Sequence, residues 1–317
     1  MKRLLFFLLI SSISASAFAQ VLGCTDSRAS NFNPKATIDD GSCTYPLAVA
    51  NPELVSELPR TVHETSGLFF YDGKLFTHND SGGKPILYAL DTSSFEIIQK
   101  ITLSNAKNKD WEDVCFDGTT VFVGDFGNNK GSRKHLRIYT FPVRDIPKEG
   151  NVSVTVDTIE FVFEDQTNFN SRLVHDYDCE AMFATDRYLY LFSKGWKTGT
   201  TRMYRLEKKP GHQVAKMINW FDSKGLITGA DYNKELNVIA LVGYVNQIWE
   251  PFLYILYDFD EETVTAHGRR IDLPNHWGMQ MEGITFFDNY RCYISAESTP
   301  VYSMRVFAID FKRWIQE

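Results

Sequence analysis

Ser66-Gly67-Leu68-Phe69-Phe70-Tyr71-Asp72-Gly73 reads as an oxygen-bearing side chain, a small residue, an apolar strand and a tight turn. The pattern returns at Glu112-Asp113-Val114, Glu180-Ala181-Met182, Thr228-Gly229-Ala230 and Glu282-Gly283-Ile284. Successive copies start 46, 68, 48 and 54 residues apart. A repeat near 50 residues built from short strands is the mark of a radial all-β architecture, the β-propeller. If each copy opens one blade, its first residue falls at the same place in every blade and faces the central channel. Five converging oxygen groups suggest a hard cation such as calcium.

Four strand-like runs can be marked in most repeats. The first has Gly67–Tyr71, Lys74–His78, Ile86–Leu90 and Glu96–Leu103. The second has Asp113–Phe116, Thr120–Gly124, Leu136–Phe141 and Thr158–Phe163. The third has Ala181–Ala184, Tyr188–Ser193, Arg202–Leu206 and Lys216–Phe221. The fourth has Gly229–Tyr232, Val238–Gly243, Phe252–Asp258 and Thr263–Asp272. The fifth has only Gly283–Phe287, Arg291–Ala296 and Tyr302–Asp310. An incomplete blade leaves an unpaired edge, so Glu53–Leu58 is expected to supply the missing strand and tie the two ends of the chain together. The expected fold is a five-bladed propeller over residues 53–317. A sixth blade within Pro142–Asp157 or Asp165–Asp176 is the alternative.

The start of the 317-residue chain reads as a Sec signal peptide over residues 1–19. Lys2 and Arg3 form the charged end, Leu4 to Ile13 the apolar stretch, and Ala17-Phe18-Ala19 the cleavage site. No other apolar run is long enough for a transmembrane helix. The protein is therefore expected in the periplasm or outside the cell. Val21-Leu22-Gly23-Cys24 loosely matches a lipobox, so lipidation at Cys24 is the competing reading. The formal charge of −7 argues against a nucleic-acid partner.

Residues 20–46 are too few and too polar for a core. Cys24 and Cys43 bracket the segment and are expected to form a disulfide. Asp26, Asn31, Asn33, Asp39 and Asp40 offer either calcium ligands or simple turn formers. Residues 47–52, with Pro46 and Pro52 at their borders, read as a linker. Cys115, Cys179 and Cys292 fall on or beside predicted strands; a Cys115–Cys179 bridge and three buried thiols are both open.

In an antiparallel meander, the links into strand one and the turns after strand two share one end. That end gathers His78-Asn79-Asp80-Ser81-Gly82, Asp125-Phe126-Gly127-Asn128-Asn129, Ser193-Lys194-Gly195-Trp196, Gly243-Tyr244 and Ala296-Glu297-Ser298. Such a rim is a candidate polar binding bowl, although Gly, Asn and Asp are also ordinary turn formers.

The stretches Glu64-Thr65-Ser66-Gly67-Leu68, His78-Asn79-Asp80-Ser81-Gly82, Asp110-Trp111-Glu112-Asp113-Val114 and Gly124-Asp125-Phe126-Gly127-Asn128-Asn129 resemble a family of secreted bacterial propellers that carries no established reaction. The N-terminal segment resembles thrombospondin type 3-like modules rich in Cys and Asp, which implies calcium there. A more distant likeness is to the calcium-activated nucleotidases (apyrases), five-bladed propellers with a Ser, Glu, Glu, Ser, Glu ligand ring. That resemblance implies one calcium on Ser66, Glu112, Glu180, Thr228 and Glu282. This chain continues for two more strands past its last Glu-Gly-Ile, and no nucleotide-binding loop matches residue by residue.

Two functions follow as expectations. One is a monomeric calcium-locked propeller that binds a small anionic ligand, a glycan or a surface protein at its rim. The other is a calcium-dependent hydrolase of a phosphoanhydride, phosphoester, lactone or ester. His78, Asp80, Asp125 and Glu297 are its acid/base candidates; Arg133 and Lys194 are its anion contacts, with Asn128, Asn129 and Trp196 beside them. No Gly-x-Ser-x-Gly elbow is present, which argues against a serine nucleophile.

Overall fold

The computed structural model describes residues 20–245 and 248–316; the expected signal peptide lies outside the described residues. The described residues divide into two compact units, with the boundary between Pro46 and Leu47. No described helix is long and apolar enough to cross a membrane.

Within the first unit, Leu22–Gly23 pairs parallel with Ile38–Asp39, and Cys24 is joined to Cys43. Its acidic and amide oxygens are engaged by protein donors. Asp26 accepts Arg28 N and the Tyr45 hydroxyl, and Asn31 accepts Thr44 N. Asp39 accepts Thr25 N and Gly41 N, while Asp40 accepts Ser42 N. The bonds from Arg28, Gly41 and Ser42 are local turn caps of the kind Asp forms in tight loops, while those from Thr25, Thr44 and Tyr45 tie the two ends of the segment together.

The second unit is a β-propeller made of antiparallel meanders. The first runs Thr65–Tyr71, Lys74–Asn79, Ile86–Asp91 and Ile97–Leu103. The second runs Trp111–Phe116, Thr120–Asp125, Leu136–Pro142 and Asp157–Phe163. The third is Asp178–Ala184, Tyr188–Lys194, Thr201–Glu207 and Gly211–Phe221. The fourth is Leu226–Asn233, Val238–Val245, Glu250–Asp260 and Thr265–Asp272. The fifth is Met281–Phe286, Arg291–Ala296 and Arg305–Asp310, completed by Glu53–Glu57 from the front of the unit.

Each first strand packs on the first strand of the next meander, and the fifth returns to the first. Apolar side chains fill the seams. Phe76, Leu87 and Ile101 meet Val114, Val121 and Val123 between the first two meanders, while Cys115 and Phe122 face Met182 and Leu191 in the next seam. Ala181 and Phe192 meet Ile227 and Leu241, and Val242 and Ile255 meet Ile284 and Ile294. Leu68 and Leu75 then close on Met304 and Val306. Adjacent residues of one strand point to opposite seams, so these strands read as continuous apolar runs.

Several outer edges are capped in ways the repeat pattern does not show. Val152–Val154, from the excursion after the second meander's third strand, pairs parallel with Ile101–Leu103. Residues 165–176 contain no strand. Ala48 and Val49, inside the segment read as a linker, pair parallel with Ile271 and Asp272. The strand expected over Lys216–Phe221 begins at Gly211, because residues 211–215 pair with Ile159–Phe163 and join the second and third meanders. Cys115, Cys179 and Cys292 are buried free thiols, which answers the question of a Cys115–Cys179 bridge.

Candidate functional site

In every first strand the pairing register slips at the oxygen-bearing residue. Gly124 pairs with Asp113 but Asp125 with Trp111, so Glu112 is left over. Glu180, Thr228 and Glu282 are skipped in the same way, and Ser66-Gly67 together oppose a single residue. Each is therefore a β-bulge, a device that re-aims one side chain out of the sheet alternation. The small residue after it has its own reason. A Cβ on Gly67 would overlap Val114 N, on Gly229 it would overlap Glu282 O, and on Gly283 it would overlap Ser66 O. The first strands thus approach one another backbone to backbone.

The bulges deliver Ser66, Glu112, Glu180 and Glu282 to one cavity of about 220 Å³, which Asp80, Asn129, Lys194, Trp196, Tyr244, Gln280 and Glu297 also line. Thr228 is not on that wall. Its hydroxyl donates to Met281 O at 2.7 Å, and the Ser66 hydroxyl donates to Glu112 O. The two hydroxyl members of the signature therefore link one meander to the next.

Asp80, Asp110 and Glu112 can each present a carboxylate oxygen with all three within 4.8 Å of one another. Turn geometry sets this up. Trp111 N donates to Asp80 O at 3.1 Å, and Gly127 N donates to Asp110 O at 3.1 Å. A Cβ on Gly127 would run into the Glu112 carboxylate, so the glycine in Asp125-Phe126-Gly127-Asn128-Asn129 makes room for it. Burial followed by neighbouring carboxylates, Asp110 first, pushes Asp80 up to about 8. Burial drives Glu112 well above its usual range, with Glu180, Asp80 and Asp110 adding to it. Asp110 rises to about 6 through burial, against the pull of Arg133.

Across the cavity Lys194 Nζ donates to Glu180 Oε2 at 2.9 Å, and the ammonium lies 5.4 Å from the ring centres of both Trp196 and Tyr244. Burial opposes its charge, but Glu180, Tyr244 and Glu282 outweigh that and hold the ammonium well above its ordinary pKa. Glu180 Oε1 and Asp80 Oδ1 are buried without a hydrogen-bond partner. Glu282 rises to about 8 and Glu297 to about 7, in both cases chiefly through burial, with Lys194 pulling the other way.

Other expected site residues have structural posts. His78 is fully buried outside the cavity wall, edge-on to Trp111 at 5.5 Å, and burial lowers its imidazole to about 4. Asp125 is also off the wall, where it accepts Arg133 Nη2 at 3.0 Å and Asp110 N at 3.1 Å. Arg133 is spent on Asp125 and on the carbonyls of Gly127 and Asp125. Asn128 donates its N–H to Asp178 Oδ1 at 2.7 Å and its amide to Tyr177 O. Trp196 Nε1 donates to Asp178 Oδ2 at 2.8 Å, which fixes its ring at the wall. Asp110 is the residue sequence reasoning passed over; it stands two places before Glu112 in the quoted Asp110-Trp111-Glu112-Asp113 motif.

Fold and site together define a β-propeller with an acid-lined cavity where its first strands converge. Comparison with solved structures returns partial matches in fold. A hydrazine synthase from Kuenenia stuttgartiensis is 11% identical, with a TM-score of 0.46 over 80% of this chain and 79% of that one. A hypothetical protein from Leishmania major is 12% identical, TM-score 0.46, over 83% and 90%. A gluconolactonase from Xanthomonas campestris is 10% identical, TM-score 0.40, over 84% and 97%. None of them carries an activity over to this chain. No family model matches the chain, and no curated protein matches it.

Proposed function

We propose that this protein is an exported, calcium-binding propeller that works as a ligand-binding or surface-interaction protein. The observation that carries the reading is the grouping of Asp80, Asp110 and Glu112 with their oxygens within 4.8 Å. Two oxygens on opposite sides of a calcium ion stand about 4.8 Å apart, given bonds of roughly 2.4 Å. Asp80 comes from the first meander and Asp110 and Glu112 from the entry to the second, so the ion clamps two neighbouring meanders. Asp80 and Glu112 share their cavity with Ser66, Glu180 and Glu282, while Asp110 is not on its wall and Glu180 is given to Lys194.

Charge separates binding from hydrolysis of anions. Five carboxyl groups and one lysine line the cavity, and that lysine is already paired with Glu180. A phosphoanhydride or phosphoester therefore meets no unpaired basic side chain on that wall. The hydrolase reading keeps support from Glu282 and Glu297, which burial pushes up to about 8 and about 7, a range that suits proton transfer; with the one lysine already paired, its substrate is a neutral ester or lactone.

The test is calorimetric titration of calcium into the chelator-treated protein, with a parallel screen of esters, lactones, nucleotides and phytate. Stoichiometric binding that Asp110→Asn and Glu112→Gln abolish is expected. Absence of binding to the wild-type protein refutes the calcium site, and calcium-dependent turnover of any substrate moves the conclusion to the enzyme.

A further inference from the structure

The two ends of the propeller differ in what their loops expose. At the end away from the acidic cavity, the turns are polar and capped by aspartates. Asp91 accepts the N–H groups of Ser93 and Ser94, Asp117 those of Thr119 and Thr120, and Asp288 those of Tyr290 and Arg291. Among the described residues, the large apolar side chains exposed in loops between meander strands are Leu173, Val174, Ile248, Trp249, Trp277 and Val301. All six lie at the cavity end, by the direction of the strands they join. Trp277 is 63% exposed and Val301 76%.

These groups stand on held backbone. Gly278 N donates to Trp249 O at 2.8 Å, which joins the two tryptophan loops. Glu297 N donates to Gln280 O at 3.1 Å, and the Ser298 hydroxyl donates to His63 O at 3.0 Å. A collar of exposed apolar side chains on the loops of one end is the pattern of a protein-binding face, with aromatic side chains as anchors.

The centre names the partner's chemistry. Asp80, Glu112, Glu180, Glu282 and Glu297 face Lys194 as the one basic side chain on the cavity wall. Glu180, 2% exposed, keeps Oε1 without a partner. Glu297 shares its acidic surroundings with Asp80 and Glu64. Glu282 and Glu297 lie on the same wall outside the Asp80, Asp110 and Glu112 group, so a calcium ion held there leaves both carboxyl groups open to a cationic partner. We propose that the cavity end of the propeller docks a protein segment that inserts a lysine or arginine toward Glu282 and Glu297 and seats flanking apolar side chains on the Trp249, Trp277 and Val301 collar. This rests on the binding reading above and supplies its partner.

The test pans a phage-displayed random heptapeptide library against the calcium-loaded full chain. The expected peptides carry Lys or Arg beside apolar residues. Replacing that basic residue with Gln weakens binding at least tenfold, and so does Glu297→Gln or the pair Trp277→Ser, Val301→Ser in the protein. Peptides without a basic residue, an empty selection, or binding unchanged in those variants overturns the proposal. So does a glycan array in which neutral sugars bind and the collar variant abolishes it, which assigns the face to carbohydrate. Calcium titration of the Trp277→Ser, Val301→Ser protein is expected to match wild type. A wild-type protein that binds the peptides but no calcium refutes the metal site and leaves the docking face standing.

Discussion

Lys194 Nζ donates to Glu180 Oε2 at 2.9 Å inside a cavity whose other ionisable walls are mainly carboxylates. Lys194 sits at the end of the third meander's second strand and Glu180 at the bulge of its first. One meander therefore supplies both its acid and the cation that partly offsets it. The ammonium also lies over two aromatic rings, a favourable place for a desolvated cation.

Removing one partner of a buried pair leaves an uncompensated charge and costs roughly 3–5 kcal/mol. Lys194→Met is expected to lose stability on that order at pH 7.5 in urea denaturation. At pH 5 the loss shrinks, because an unpaired Glu180 can take up a proton. A deficit of equal size at both pH values means that the lysine acts through packing rather than charge.

The pH dependence of the calcium-free protein follows from the raised carboxyls. Glu282 moves from 4.5 to about 8, Asp80 from 3.8 to about 8 and Glu297 from 4.5 to about 7. Between the unfolded and folded pKa values the native state binds more protons than the unfolded one. Stability is then highest below about pH 4 with respect to these groups and falls as pH rises toward 8. Circular-dichroism melts in chelator are expected to show Tm falling from pH 5 to 8.5, and calcium to recover most of the loss at the alkaline end. A Tm that rises over that range in chelator contradicts the assignment of these pKa shifts.

The glycines of the repeated signature are expected to be intolerant for a reason unrelated to turns. Gly283→Ala drives a methyl group into Ser66 O on the next first strand, and Gly229→Ala does so into Glu282 O. Both are backbone atoms and cannot step aside, so a loss of about 2 kcal/mol or more is expected, at the upper part of the range for overpacking. Gly268→Ala is the control, because its Cβ would meet the flexible tip of Leu256 at 3.0 Å. Comparable losses at all three sites in chemical denaturation mean that close strand approach is not the cause.

Much of this was legible in the spacing of five short segments. The apolar runs gave the strands because successive residues feed opposite seams, and the shortfall in the last repeat located the closing role of Glu53–Glu57. The parallel additions at Ala48–Val49 and Val152–Val154 were not legible, since such short segments carry no periodicity of their own. Site residues divided along another line. Ser66, Glu112, Glu180 and Glu282 could be placed together because the repeat puts them in register. His78, Asp125 and Arg133 share a loop-rich end with the cavity, but whether a side chain points inward or is sealed behind Trp111 or locked to a carbonyl depends on packing that no spacing encodes. The bulge at each oxygen residue is likewise a register property, visible only once both strands are paired.

That division gives the hydroxyl members of the signature a separate fate from the carboxylates. Thr228 Oγ1 donates to Met281 O at 2.7 Å and Ser66 Oγ donates to Glu112 O, each across a seam. Thr228→Val keeps the shape of the side chain and removes the donor, at an expected cost of about 1 kcal/mol for one buried hydrogen bond. Calcium affinity in titration calorimetry is expected to stay at the wild-type value, because the hydroxyl is already committed to a carbonyl. Asp110→Asn is the converse case, expected to abolish calcium binding while changing stability in chelator by less. A Thr228→Val protein that folds but no longer binds calcium returns the threonine to the ligand set; a Thr228→Val protein that keeps calcium excludes the threonine hydroxyl from it.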